Sequence, residues 1–168
     1  MLYTVGPVNV SPDTLQSMTK PMITHRSAEY KELHGNIVEK MRKALDTDMD
    51  VFLVAGSATA FNEGAIRNGV SEKCLGITNG SFGNRLIEIA ELNGKQVDKV
   101  EVPWGKAMRP EHIAGKVTKD TEAVCWVANE SSTGVFSNSV AISKAVSEQN
   151  PDALKIVDVV TAAFAMDI

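Results

Sequence analysis

Asp158 closes the apolar run Leu154-Lys155-Ile156-Val157-Asp158. A carboxylate at the carboxyl end of a buried strand stands where open α/β sheets keep their ligand crevice. Burying that charge is costly unless a cationic group meets it. Asp158 therefore suits an electrostatic anchor for a positively charged ligand. Three earlier apolar runs also open into loops rich in small polar residues. In Gly56-Ser57-Ala58-Thr59, two hydroxyls and the unpaired amides of a helix start would cradle a phosphate. Ordinary N-capping by Ser57 or Thr59 is the structural alternative, and no Gly-Lys-Ser/Thr follows to make a P-loop. Asn79-Gly80-Ser81-Phe82-Gly83 carries an aromatic at its tip. Phe82 could stack on a planar ring or begin a helix core. Asn129-Glu130-Ser131-Ser132-Thr133-Gly134 sets hydroxyls and a carboxylate after a strand. These could hold a ring hydroxyl or a substrate, or satisfy their own turn. For Asp158 the alternative is a helix N-cap, against which Val159-Val160 is poor helix-starting material.

The elements that must position these loops alternate along the chain. An arm over residues 1–12 holds two prolines. Asp13 caps a short helix that Lys20-Pro21 ends. Ser27 is expected to cap a longer helix to about Thr47, with Tyr30, Leu33, Ile37, Val38, Met41 and Leu45 at helical spacing. Strands are expected at 51–54, 74–78, 97–102, 123–128 and 154–158. Helices are expected from the Gly56 loop to about Asn68, from the Phe82 loop to Gly94, over 110–116 and over 140–149. Strands separated by helix-length segments predict an α/β fold, an open and largely parallel sheet covered by helices. His25 precedes the long helix, where a surface or capping role suits a lone histidine. Arg26 could bind a carboxylate or a helix C-terminus.

Composition narrows the class. The apolar share is 43% and the charged share 23%, ordinary for a globular domain. The net charge of −4 and the lack of a basic stripe argue against nucleic acid. No apolar run is long enough to span a bilayer, and no leader is legible, so a cytoplasmic protein is expected. Cys74 and Cys125 lie in apolar runs without metal-ligand spacing and read as buried thiols. Residues 159–168 are apolar and should need something to pack against, which suggests a fragment or one part of a split protein.

Taken in order, the loops resemble the class V aminotransferases. These are pyridoxal 5′-phosphate (PLP) enzymes of fold type I, and the likeness is to their alanine–glyoxylate and serine–pyruvate group. It runs from Gly6-Pro7-Val8-Asn9-Val10-Ser11-Pro12 and Met22-Ile23-Thr24-His25-Arg26-Ser27 through the Ser57, Phe82 and Ser131 loops and Val102-Pro103-Trp104-Gly105 to Ile156-Val157-Asp158. It spans nearly the whole chain but only about the first half of a family member. The resemblance implies a three-layer α/β/α sandwich. Residues 1–26 would form an arm and substrate-side segment, and 27–168 an incomplete PLP-binding large domain without its C-terminal part and small domain. It implies that Ser57, Ala58 and Thr59 hold the cofactor phosphate. Phe82 would stack on the ring where Trp is common, Ser131 would bond the ring oxygen, and Val160 would pack the other ring face. Asp158 would pair with the pyridine nitrogen, keeping it protonated, and Asn9 and His25 would border the substrate pocket.

The implied reaction moves an amino group between a small amino acid, alanine or serine, and a 2-oxo acid, glyoxylate or pyruvate. Family members bond their cofactor through a lysine beyond this aspartate, yet no lysine follows Asp158. Lys155 lies three positions back and should face away, since strand side chains alternate. The chain alone is therefore expected to be inactive, with a homo-oligomer or a companion C-terminal chain completing the site. Competing expectations are a non-catalytic module and a cysteine desulfurase-like lyase, though such lyases usually stack a histidine where Phe82 stands. A flavodoxin-like nucleotide binder leaves Asp158 unexplained. A carboxylate turned to bulk water, or engaged by a helix of its own chain with no open pocket, would contradict the cofactor expectation.

Overall fold

The computed structural model describes residues 1–166. Asp167 and Ile168, the end of the apolar segment noted above, lie outside the described residues. The chain forms two compact units, Met1–Ala55 and Gly56–Ile168.

The first unit carries α1 (Pro12–Ser17) and α2 (Ala28–Leu45). Ser11, not Asp13, caps α1 by accepting the Thr14 amide, and Pro12 takes the first helical position, where its missing N–H costs nothing. α1 ends at Ser17, ahead of Lys20-Pro21. Ser27 caps α2 by accepting the Tyr30 amide at 3.1 Å. The apolar stripe of α2 is half-buried at best, and no α2 residue is fully buried. A 55-residue unit has too few elements to cover it. The strand expected at 51–54 does not form, and Phe52 and Val54 are 77% and 62% exposed. An apolar run states a need for burial, but a strand exists only through the neighbour that pairs with it.

The second unit is a parallel sheet between helices. α3 (Ala58–Gly69), β1 (Lys73–Thr78), α4 (Ser81–Leu92), β2 (Gln96–Glu101), β3 (Ala123–Val127), the short β4 (Asn129–Glu130) and β5 (Val135–Phe136), α5 (Ser139–Gln149) and β6 (Leu154–Asp158) follow in order. The four long strands lie in the order β2-β1-β3-β6, each pair parallel. Side-chain alternation splits them into two cores. Leu75, Ile77, Val124 and Trp126 pack with Ile113, Ile142 and Val146 on one face. Cys74, Ala123 and Cys125 pack with Ile66 of α3 and Leu86, Ile89 and Ala90 of α4 on the other. This unit is the expected three-layer arrangement, and burial on both faces explains why its strands read as continuous apolar runs. Both cysteines are buried and free of disulfide.

Two expected elements differ. Over 110–116 only a 3-10 turn forms, at Pro110–Ile113, because Gly115 at φ +70° leaves the helical region. The loop after β3 contains the small hairpin β4–β5, closed through Gly134 at φ +70°. At the amino ends of β1 and β3, Lys73 pairs with Asp98 and Asp120 at 3.1 and 2.9 Å. Glu122 there accepts the amides of Ser71, Glu72 and Lys73.

Candidate functional site

The opposite, carboxyl ends of β1, β3 and β6 gather the loops that the sequence singles out. α3 runs back along β6. A Cβ on Gly69 would touch Leu154 Cδ1 at 3.2 Å and Ile156 Cδ1 at 3.6 Å, and Asn62 Nδ2 donates to Asp158 Oδ2 at 2.8 Å. The helix start at Ser57-Ala58-Thr59 therefore lies at the end of β6 that carries Asp158. Ser57 occupies the N-cap with extended backbone, but its side chain makes no capping bond. Of the first-turn amides of α3, that of Ala60 donates to the Ser57 carbonyl at 3.0 Å, and those of Ala58 and Thr59 are left to water or a ligand. Ser57 and Thr59 are exposed while Ala58 is half-buried. N-capping by the Ser57 side chain, the ordinary alternative for this loop, is not realised.

Phe82 stands in the first turn of α4 and is 48% exposed. It is not a core residue, and part of its ring surface is open to a planar partner. The start of α4 is held by Glu130, a residue that nothing in the local sequence marks out from its loop. Glu130 is fully buried. Its carboxylate accepts the amides of Phe82 at 3.1 Å and Gly83 at 2.9 Å, and the Ser132 hydroxyl at 2.6 Å. The Ser132 hydroxyl in turn accepts the Ser81 amide at 3.0 Å. Amide donors and the positive end of the α4 dipole meet the buried charge in place of a cation. A Cβ on Gly80 would lie 2.4 Å from Glu130 Cγ, so only glycine permits the approach. Position 80 was legible as a glycine loop, but a carboxylate 50 residues away that needs the gap left no mark in local sequence.

Ser131 lies between these two anchors and is half-buried. The internal bonds of its turn use Ser132 and Thr133, so the expected self-satisfied turn is built by its neighbours. Asn129 Nδ2 donates to Thr161 Oγ1 at 2.9 Å, tying this hairpin to the segment after β6. Hydrogen bonds thus link the segment of Phe82 to that of Ser131 through Glu130, and the segment of Ser131 to that of Asp158 and Val160 through Asn129 and Thr161.

Asp158 is half-buried. Oδ1 accepts the Val160 amide at 3.0 Å, a local Asx turn. No helix follows β6 among the described residues, so the helix N-cap alternative is not realised, and Oδ1 serves this turn instead. Oδ2 takes Asn62, which sequence patterning did not mark. The expected cationic partner is not found among the described residues, since both bonds come from neutral groups. Engagement by a helix of its own chain meets half of the contrary outcome posed above. The other half turns on an open pocket: Val160 beside Asp158 is 65% exposed, whereas Asn79 and Glu130 at the neighbouring strand ends are buried, and the clefts lined by Thr59 and by Thr78 do not include Asp158. Ile156 joins the α3–α4 core while Val157 joins the opposite one. Lys155 therefore faces away from Asp158, as alternation requires. Asn9 and His25 belong to the first unit and are exposed there. Asn9 accepts the Leu2 amide at 2.7 Å.

No family model matches the chain. Among curated proteins, an uncharacterized aminotransferase of Methanocaldococcus jannaschii is 36% identical over 96% of this chain and 43% of its own length. A soluble hydrogenase 42 kDa subunit of Anabaena cylindrica is 32% identical over 100% and 45%. An L-aspartate–glyoxylate aminotransferase of Paracoccus denitrificans is 31% identical over 99% and 44%. Among solved structures, an aspartate aminotransferase of subgroup IV from Thermus thermophilus superposes with a TM-score of 0.91 at 29% identity, covering 98% of this chain and 47% of that one. An alanine–glyoxylate aminotransferase from Nostoc gives 0.88 at 27% identity, over 98% and 44%. The chain spans a little under half the length of the curated relatives it matches. In sequence and in fold this chain is similar to aminotransferases over a little under half of their length.

Proposed function

We propose that this chain forms the cofactor-binding part of a PLP-dependent aminotransferase acting on a small amino acid, alanine or serine, and a 2-oxo acid, glyoxylate or pyruvate. The observation that carries the proposal is the half-buried Asp158 carboxylate at the end of β6, joined through Asn62 to a helix whose first-turn amides lack a side-chain cap. A phosphorylated, cationic, planar ring matches what these groups offer. The α3 amides with Ser57, Ala58 and Thr59 would take the phosphate. Phe82 would cover one ring face, Val160 the other, and Ser131 would bond the ring oxygen. Asp158 would hold the ring nitrogen in its protonated form, because an adjacent negative charge favours the cation. Asn9 and His25 would border the substrate.

When bound, the cofactor supplies an electron-withdrawing ring and an aldehyde that receives the amino group. The chain's own part is to seat, orient and charge that ring. The amine that bonds the aldehyde would come from polypeptide outside these 168 residues, in the same protein or a second chain. A cytoplasmic homo-oligomer or a two-chain assembly agrees with this. Among the described residues no helix is long and apolar enough to cross a membrane.

Titration calorimetry with pyridoxamine 5′-phosphate tests the proposal, because this form lacks the aldehyde that reacts with surface lysines. Saturable one-site binding that inorganic phosphate displaces is expected. Heats no larger than those of phosphate alone would contradict it.

A further inference from the structure

Asn62 is the one side chain that hydrogen-bonds the Asp158 carboxylate among the described residues. It sits in the second turn of α3, on the face turned to β6. An ionised carboxylate only accepts, so the amide nitrogen, not its oxygen, faces Oδ2. α3 needs no such bond to stay in place. Ile66 is fully buried in the core that α3 shares with α4 and the sheet, and Gly69 lies against Leu154 and Ile156. Asparagine is also a poorer helix former than leucine or methionine. Its presence therefore points to Asp158 rather than to the helix.

The Val160 amide alone would leave the carboxylate anchored at one oxygen, and rotation about its terminal torsion is soft. With Asn62 on the second oxygen, the plane is held at both ends. A carboxylate offers about four acceptor positions, and two are used here. From this geometry, and resting on the cofactor function proposed above, we infer that Asn62 is the positioning residue of the site. It fixes the Asp158 carboxylate so that its remaining lone pairs meet the ring nitrogen of the cofactor in one orientation.

The test uses the 168-residue chain and pyridoxamine 5′-phosphate labelled with ¹⁵N in the ring. In the wild type the bound nitrogen resonates in the pyridinium range at a pH where the free compound is neutral. Asn62→Leu keeps the side chain's heavy-atom count and branching, in a larger volume, and removes the donor. Its bound nitrogen is expected to move toward the neutral range, with affinity lower by about tenfold, the scale of one charged hydrogen bond. Asn62→Ser, too short to reach Asp158, should behave alike and serves if the leucine variant fails to fold. Asn62→Gln, which keeps a donor, should restore part of the wild-type shift, which a merely structural role would not predict. A leucine or serine variant that binds with the wild-type resonance and affinity overturns the inference alone. A wild type that shows no bound resonance overturns the cofactor function and the inference with it.

Discussion

At the scale of single residues, the site rests on groups whose chemistry is separable from their packing. Asp158 is half-buried and already serves a turn, so Asp158→Ala should fold. In the assembled enzyme the loss of ring polarisation should cost on the order of 10²–10³-fold in turnover. Steady-state kinetics would show this beside a much smaller change in cofactor affinity, and normal turnover would remove the role. Phe82→Ala should weaken pyridoxamine 5′-phosphate binding by about 1 kcal/mol, the worth of one aromatic contact beyond its area. Phe82→Trp should preserve binding, and calorimetry on both variants decides it. Asp158 and the loops carrying Phe82 and Ser57 were legible because each follows or closes an apolar run with small polar or charged residues. Asn62 was not, because a polar residue in a helix beside a surface stretch is unremarkable until its partner 96 positions away is known.

At the scale of elements, the two ends of the sheet do different work. The carboxyl end is fastened by Glu130, whose loss would leave several amides unpaired in a dry site. Glu130→Ala should destabilise the fold by about 3 kcal/mol, and Gly80→Ala by about 1–3 kcal/mol through the forced clash. Urea unfolding measures both. The amino end is fastened by charge. The Thr118 hydroxyl and Lys73 beside Asp120 pull its carboxyl down to about 2. The amides of Ser71 and Glu72 hold Glu122 below its usual range. Both folded-state values lie below the unfolded ones. Their contribution is therefore complete above the ordinary carboxylate range and lost as pH falls, for Asp120 between 3.8 and about 2. Asp120→Asn and Glu122→Gln should be less stable than wild type at neutral pH and converge on it in acid. Thermal melts across that window would check the sign. The sheet, its helices and their order followed from alternating apolar runs. The missing strand at 51–54 and the shortened helix at 110 did not, since one depends on a pairing neighbour and the other on a glycine beyond the turn.

At the scale of the whole molecule, the second unit holds every residue proposed to touch the cofactor, and the first holds Asn9 and His25. Borohydride reduction of the PLP-loaded complete assembly, followed by peptide mapping, should place the label on a lysine outside this chain. Stoichiometric label on Lys155 or another lysine here would refute that division of labour. The central claim is the pairing of Asp158 with a protonated ring. Its most direct measurement is the ring ¹⁵N resonance of bound pyridoxamine 5′-phosphate in the wild-type chain and in Asp158→Asn. The account predicts a pyridinium resonance in the first and a neutral pyridine resonance in the second, whereas the same resonance in both would contradict it.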